Sequence, residues 1–191
     1  MKTICTPFPW QCIIGENRIG TFVNEDIVLT ASHVCPKDVD SISCLENKGM
    51  ATVFYRSKTY DMVLMKTDFK VSMFIKCDQI ILKNFDTVEC VSIKTLQESL
   101  NRNVQVEFYK QIDLESYYDS IGLKSHYLGL KDKPFIYKFD KMEGDFSCSG
   151  SPYLKNDKLV ALLMASLPST NKNEKKSYGF PIPKEILEKI K

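Results

Sequence analysis

Three short segments of this 191-residue chain hold residue types that could do chemistry together. VLTASHV, residues 28 to 34, is an apolar strand pattern running into a small-residue turn that presents His33. YDMVLMK, residues 60 to 66, opens an apolar run with Asp61, and a carboxylate there needs a partner to offset its desolvation. SCSGSPYL, residues 147 to 154, follows Ser149 with Gly150, Ser151 and Pro152, small residues that permit a tight turn and close backbone approach. A serine hydroxyl is a poor nucleophile until a base removes its proton, and neutral imidazole suits that task at physiological pH. In such an arrangement His33 takes the proton of Ser149 and later gives it to a leaving group. Asp61 holds the imidazole in one tautomer and stabilises its cation. Each segment alone has a plainer reading: a satisfied histidine, a carboxylate capped by backbone amides at a strand end, an ordinary loop.

Residues so far apart in sequence need a scaffold that gathers them, and the chain's patterning predicts one. The dominant period is two, in short runs separated by turn residues. WQCIIG from Trp10, RIGTFV from Arg18, DIVLT from Asp26, VDSISCL from Val39, GMATVFYR from Gly49 and TYDMVLMKT from Thr59 form a first series of strands. A loosely patterned stretch follows from about Asp68 to Asp86. TVECVSI from Thr87, VQVEFYK from Val104, PFIYKF from Pro134, KLVALLMAS from Lys158 and YGFPIP from Tyr178 form a second series. The tail PKEILEKIK has Pro183 where a first helical turn accepts proline, and Ile186, Leu187 and Ile190 at helical spacing. The expected fold class is all-β: two tandem six-stranded antiparallel barrels with a short C-terminal helix. The expected division is 1–76 for the first barrel, 77–85 for the connection, and 86–191 for the second barrel and helix.

Composition narrows the function classes. The chain is 43% apolar, enough for a sizeable core, and its formal net charge of +2 gives no electrostatic case for nucleic acid. Seven cysteines include no C-x-x-C pair, and His33 and His126 are the only imidazoles, so neither a metal nor a cofactor is expected. No apolar run is long enough to cross a bilayer, so no membrane insertion is expected. Pro7 and Pro9 interrupt the first residues, which do not read as a signal peptide. The expectation is a cytoplasmic protein, or one of the host cytoplasm if viral, with reduced thiols.

Taken together, His, then Asp, then Ser in an all-β double barrel resembles the trypsin/chymotrypsin-like serine proteases. T-A-S-H-V matches that family's T-A-x-H turn, D-M-V-L-M-K its D-[apolar]-A-L-[apolar]-[K/R] strand, and S-G-S-P its S-G-[G/S]-P turn. LVALLMAS and YGFPIP are similar to the strands flanking the specificity pocket, and YGFPIP to the GFAIP stretch of compact HtrA-type and glutamyl-endopeptidase-like members. The resemblance implies a serine endopeptidase acting on polypeptides through an acyl-enzyme, with His33, Asp61 and Ser149 catalytic. It implies an oxyanion hole built from the backbone N–H groups of Ser149 and Ser147. It places Glu143, Met164, Ala165, Ser166 and Gly179 at the substrate pocket. Bacterial, effector and viral polyprotein-processing contexts all accommodate it, and the compact barrels fit the viral one.

The sequence departs from the family at S-C-S-G, where members write G-[D/N]-S-G. Ser147 stands where the family has the glycine whose amide serves the oxyanion hole, and Cys148 where it has an acid or amide. Cys148 also brings in a cysteine nucleophile, as in viral 3C-like proteases, but register favours Ser149, the residue directly before Gly-Ser-Pro. A non-catalytic binding module on the same fold is the alternative of a different class. Glu143 lies six residues before the nucleophile, where a carboxylate would favour Lys or Arg at the cleaved position; a solvated loop shared with Asp145 is the stronger reading. His126 is expected to be structural or at the surface.

Overall fold

The computed structural model describes residues 8–95, 98–109, 114–139, 149–168 and 175–191. The first barrel comprises β1 (Gln11–Ile14), β2 (Arg18–Asn24), β3 (Ile27–Ala31), β4 (Val39–Cys44), β5 (Asn47–Arg56) and β6 (Met62–Thr67). Its strands are hydrogen-bonded in the order β1-β2-β3-β6-β5-β4, and β4 returns to β1. The second comprises β7 (Thr87–Thr95), β8 (Glu98–Tyr109), β9 (Ile136–Phe139), β10 (Pro152–Lys155), β11 (Lys158–Pro168) and β12 (Lys175–Pro181). It closes in the order β10-β11-β12-β9-β8-β7, with β7 back on β10. Closure gives neither sheet a terminal strand.

Strands β3 and β6 are almost wholly buried because both of their faces are covered. One parity points into the first barrel, where Val28, Val63 and Met65 pack with Cys12, Phe22 and Ile42. The other parity, Leu29, Ala31, Met62 and Leu64, packs between the barrels against Leu154, Leu162, Met164 and Phe180. That is why DIVLT and MVLM read as unbroken apolar runs rather than alternating ones. The second barrel is filled by Val88, Val106, Tyr137, Phe139, Tyr153 and Leu163 among others, with the Phe139 and Tyr153 rings stacked at 3.7 Å.

The structure amends several expectations. β8 begins at Glu98, not Val104, because the polar ESLNRN segment is carried by its ladder to β7. β10, a four-residue strand directly after the Ser149 turn, was not foreseen; Pro152 at its start hid it. Between β8 and β9, where no element was expected, stand two short helices, α1 (Leu114–Ser120) and α2 (Lys124–Gly129). The terminal helix, α3 (Lys184–Ile190), starts just past Pro183, and its Ile186 is buried between the barrels. Among the described residues, no helix is long and apolar enough to cross a membrane.

Candidate active site

Register brings His33 and Asp61 together. Ala31, the last residue of β3, pairs with Met62, the first of β6, so His33 lies just beyond one strand end and Asp61 just before the other. Asp61 was expected inside the strand; instead it sits ahead of it with φ 51°, in the left-handed region that Asp tolerates better than most residues. Its carbonyl accepts from Ser32 N at 2.7 Å, and Met62 O accepts from Ser57 N at 2.8 Å, which fixes the turn. Residues Ser32–Val34 form one 3-10 turn. Two arginines secure that turn from outside. Arg56 Nη1 donates to Ser32 Oγ at 2.7 Å and Cys35 O at 2.9 Å, and Arg18 Nη1 to Val34 O at 2.9 Å.

The Asp61 carboxylate is 1% exposed, and its desolvation is offset by three donors. His33 N donates to Oδ1 at 2.9 Å. His33 Nδ1 binds Oδ2 as a short contact, and the Tyr117 hydroxyl donates to the same Oδ2 at 2.6 Å. With Nδ1 committed to a carboxylate, the imidazole leaves Nε2 as its free nitrogen, the tautomer a general base requires. The His33 side chain is 25% exposed, so it is reachable from solvent. Tyr117 lies 56 residues from Asp61, on a helix the pattern did not reveal, and no sequence signal pointed to it. Burial, then the Asp61 charge, push its phenol well above the ordinary tyrosine range.

Ser149 comes from the second barrel. Gly150 has φ +90°, and a Cβ there would lie 2.5 Å from Thr30 Oγ1 and 2.6 Å from Ile19 O. The turn carrying Ser149 is therefore pressed onto β2 and β3, directly before the His33 turn. Gly150 N donates to Leu163 O at 2.8 Å, and Ser149 Oγ donates to Met164 O at 3.1 Å. Met164 is the extra residue of a bulge: Leu163 pairs with Gly179 and Ala165 with Tyr178. Among the described residues, Ser149 Oγ makes no hydrogen bond to His33, and the Ser149 N–H donates to no acceptor. The hydroxyl is thus held by Met164 O, whereas the sequence pattern placed it within bonding reach of the imidazole.

Glu143, Ser147 and Cys148 lie outside the described residues, as does Asp145. Met164 has its side chain buried between the barrels, and Ala165 is half-buried beside it. Ser166 pairs with Ser177 through its backbone. Gly179 is buried in the second barrel, where a Cβ would meet Leu162 O at 2.7 Å and the Phe139 and Tyr153 rings at 3.1 Å. His126 Nε2 is 3.5 Å from Thr59 Oγ1. Among the described residues, no cluster of His, Cys, Asp and Glu could hold a metal ion.

No protein-family model matches the chain, and no curated protein matches it in sequence. Solved structures do match in fold. The Rv3671c protease of M. tuberculosis in its inactive form aligns with a TM-score of 0.69 at 13% identity, over 95% of this chain and 89% of its own. The human pathogenic astrovirus serine protease aligns with a TM-score of 0.64 at 13% identity, over 95% and 93%. Neuropsin, a serine protease of mouse brain, aligns with a TM-score of 0.63 at 17% identity, over 98% and 97%. The chain thus has the double-barrel fold of the trypsin/chymotrypsin-like serine proteases, along essentially its whole length.

Proposed function

We propose that this chain is a serine endopeptidase that cleaves polypeptides through an acyl-enzyme, with Ser149 as nucleophile, His33 as general base and acid, and Asp61 as the group that orients His33. The observation that carries this reading is the His33–Asp61 pair: an accessible imidazole whose Nδ1 is bound to a buried carboxylate, beside the turn that bears Ser149. Rotation of the Ser149 hydroxyl from Met164 O toward His33 Nε2 would complete the proton path. Nε2 then takes the proton as Oγ attacks the scissile carbonyl, and returns it to the departing amine; water repeats the cycle to release the acid. The Ser149 N–H, uncommitted among the described residues, would face the oxyanion, with Ser147 N as the second donor.

A non-catalytic binding module is the second reading, favoured by the bond that holds Ser149 Oγ on Met164 O. A fluorophosphonate probe separates the two. The peptidase reading expects stoichiometric labelling of Ser149, lost in Ser149→Ala and retained in Cys148→Ala. Unlabelled wild-type protein refutes it, and labelling lost only in Cys148→Ala moves the nucleophile to the thiol.

A further inference from the structure

The Asp61 carboxylate has a partner that the catalytic cycle above does not use. Tyr117 reaches it from α1, in the second half of the chain, and donates to Oδ2, the same oxygen that receives His33 Nδ1. The phenol is held by packing on two sides. Tyr118 meets its ring edge-on at 5.6 Å and 88°, and Phe180 of β12 at 5.7 Å and 70°. The neighbouring Tyr118 hydroxyl donates to Thr59 O, and His126 of α2 touches Thr59 Oγ1. The two helices thus grip the loop that ends in Asp61, and one phenol passes through that grip to the carboxylate.

We propose that Tyr117 is a positioning residue of this site, whose phenol fixes Asp61 Oδ2 against His33 and sets the proton affinity of the imidazole. The proposal rests on the serine-peptidase reading only for its catalytic consequence; the His33–Asp61–Tyr117 chain is itself a feature of the fold. A carboxylate oxygen shared by two donors is fixed in direction, because turning toward one strains the bond to the other. It also yields part of its negative charge to the phenol, so less of that charge stabilises the imidazolium. The phenol remains a donor throughout the neutral range, since burial and the Asp61 charge push its own ionisation upward.

The other titratable and charged groups here are the half-buried Tyr60, the buried Tyr118 and Tyr127, and Glu185 of α3, which lies near Tyr60 and Tyr118. Arg56 bonds the backbone of the His33 turn, and His126 touches only Thr59. Among them, only Tyr117 joins His33 in hydrogen-bonding the Asp61 carboxylate. Loss of its proton donor therefore falls directly on His33.

The test follows the His33 imidazole by nitrogen NMR in full-length protein, with fluorophosphonate labelling as a second readout. Tyr117→Phe keeps the ring and its edge contacts. It is expected to raise the His33 midpoint by about one pH unit and to slow labelling about ten-fold. Tyr118→Phe removes the Thr59 bond and serves as the packing control; it is expected to lower stability without moving His33. Replacing Tyr117 by 3-fluorotyrosine, a more acidic phenol, empties no contact and is expected to move the His33 midpoint downward. A wild-type His33 titration in both Tyr117 variants overturns the proposal, as does an equal shift in Tyr118→Phe. If wild-type protein does not react with the probe while the Tyr117 variants still shift His33, the positioning role stands and the peptidase reading falls.

Discussion

Replacing Gly150 by alanine puts the seating of Ser149 to a quantitative test. The position has φ +90°, and an L side chain outside its favoured regions costs about 1–2 kcal/mol. The added methyl would sit 2.5 Å from Thr30 Oγ1 and 2.6 Å from Ile19 O, and the latter is backbone in the middle of a closed barrel. Those two atoms already share a 2.6 Å hydrogen bond, so the methyl drives into a bonded pair, and losing that bond costs about 1 kcal/mol. Moving the strand or the turn to make room adds ~1–2 kcal/mol. The total is about 3–5 kcal/mol, or a fall in melting temperature of about 6–20 °C for a domain of this size. Calorimetry and urea titration of Gly150→Ala measure it directly. In the Thr30→Ala background part of the loss should disappear, since one of the two clashing atoms has gone while Ile19 O remains; a coupling of about 1 kcal/mol is expected from the double-mutant cycle. A Gly150→Ala protein melting within about 3 °C of wild type would refute the described packing of the Ser149 turn.

Other perturbations address the remaining parts of the molecule. On the serine-peptidase reading, Asp61→Asn should reduce kcat by about 10⁴-fold, because an amide facing Nδ1 favours the wrong imidazole tautomer; activity within ten-fold of wild type would exclude the role proposed for Asp61. Burial pushes the Cys35 thiol up to about 11 and Cys77 to about 12, and also raises the Cys12 thiol well above the ordinary range. A raised thiol pKa means the protonated, unreactive form, so at pH 8 iodoacetamide should leave the buried Cys12 and Cys35 unmodified in native protein and react only slowly with the half-buried Cys77; mass spectrometry showing prompt alkylation of Cys12 or Cys35 would contradict this burial. Ser57 Oγ donates to Glu185 Oε1, tying α3 to the loop before Asp61. Glu185→Ala should therefore cost about 2 kcal/mol, a melting shift of about 4–8 °C, and an unchanged transition would show that the tie contributes nothing.

The legible parts of the molecule were those written in local pattern. The strand that ends before His33 follows from DIVLT and the one that carries on from Asp61 from MVLM, though its start was set three residues early, and the small residues after Ser149 announced a turn, which Gly150 bears out with its positive φ. The illegible parts depend on contacts remote in sequence. PYLK was invisible as a strand because it is four residues long, starts with proline and has three of its residues buried, leaving no alternation to detect. LESYYDS and KSHYLG are too short to show a helical period, and what orders them is aromatic packing of Tyr118 on Tyr127 at 4.6 Å. Tyr117 was hidden for the same reason. Asp61 was found, but its left-handed backbone was not, since nothing around it in the sequence requires one.

The bulge that turns the Met164 carbonyl toward Ser149 also orders events in time. A ribosome releases His33 and Asp61 early, then Tyr117, then Ser149, and only afterwards β11 with Met164 and β12 with Phe180. A nascent chain ended at residue 150 already holds every reactive side chain of the pair and the nucleophile. It still lacks the strand that seats one and the ring that steadies the other. On the serine-peptidase reading the site is therefore complete only when β11 and β12 close the second barrel, late in synthesis.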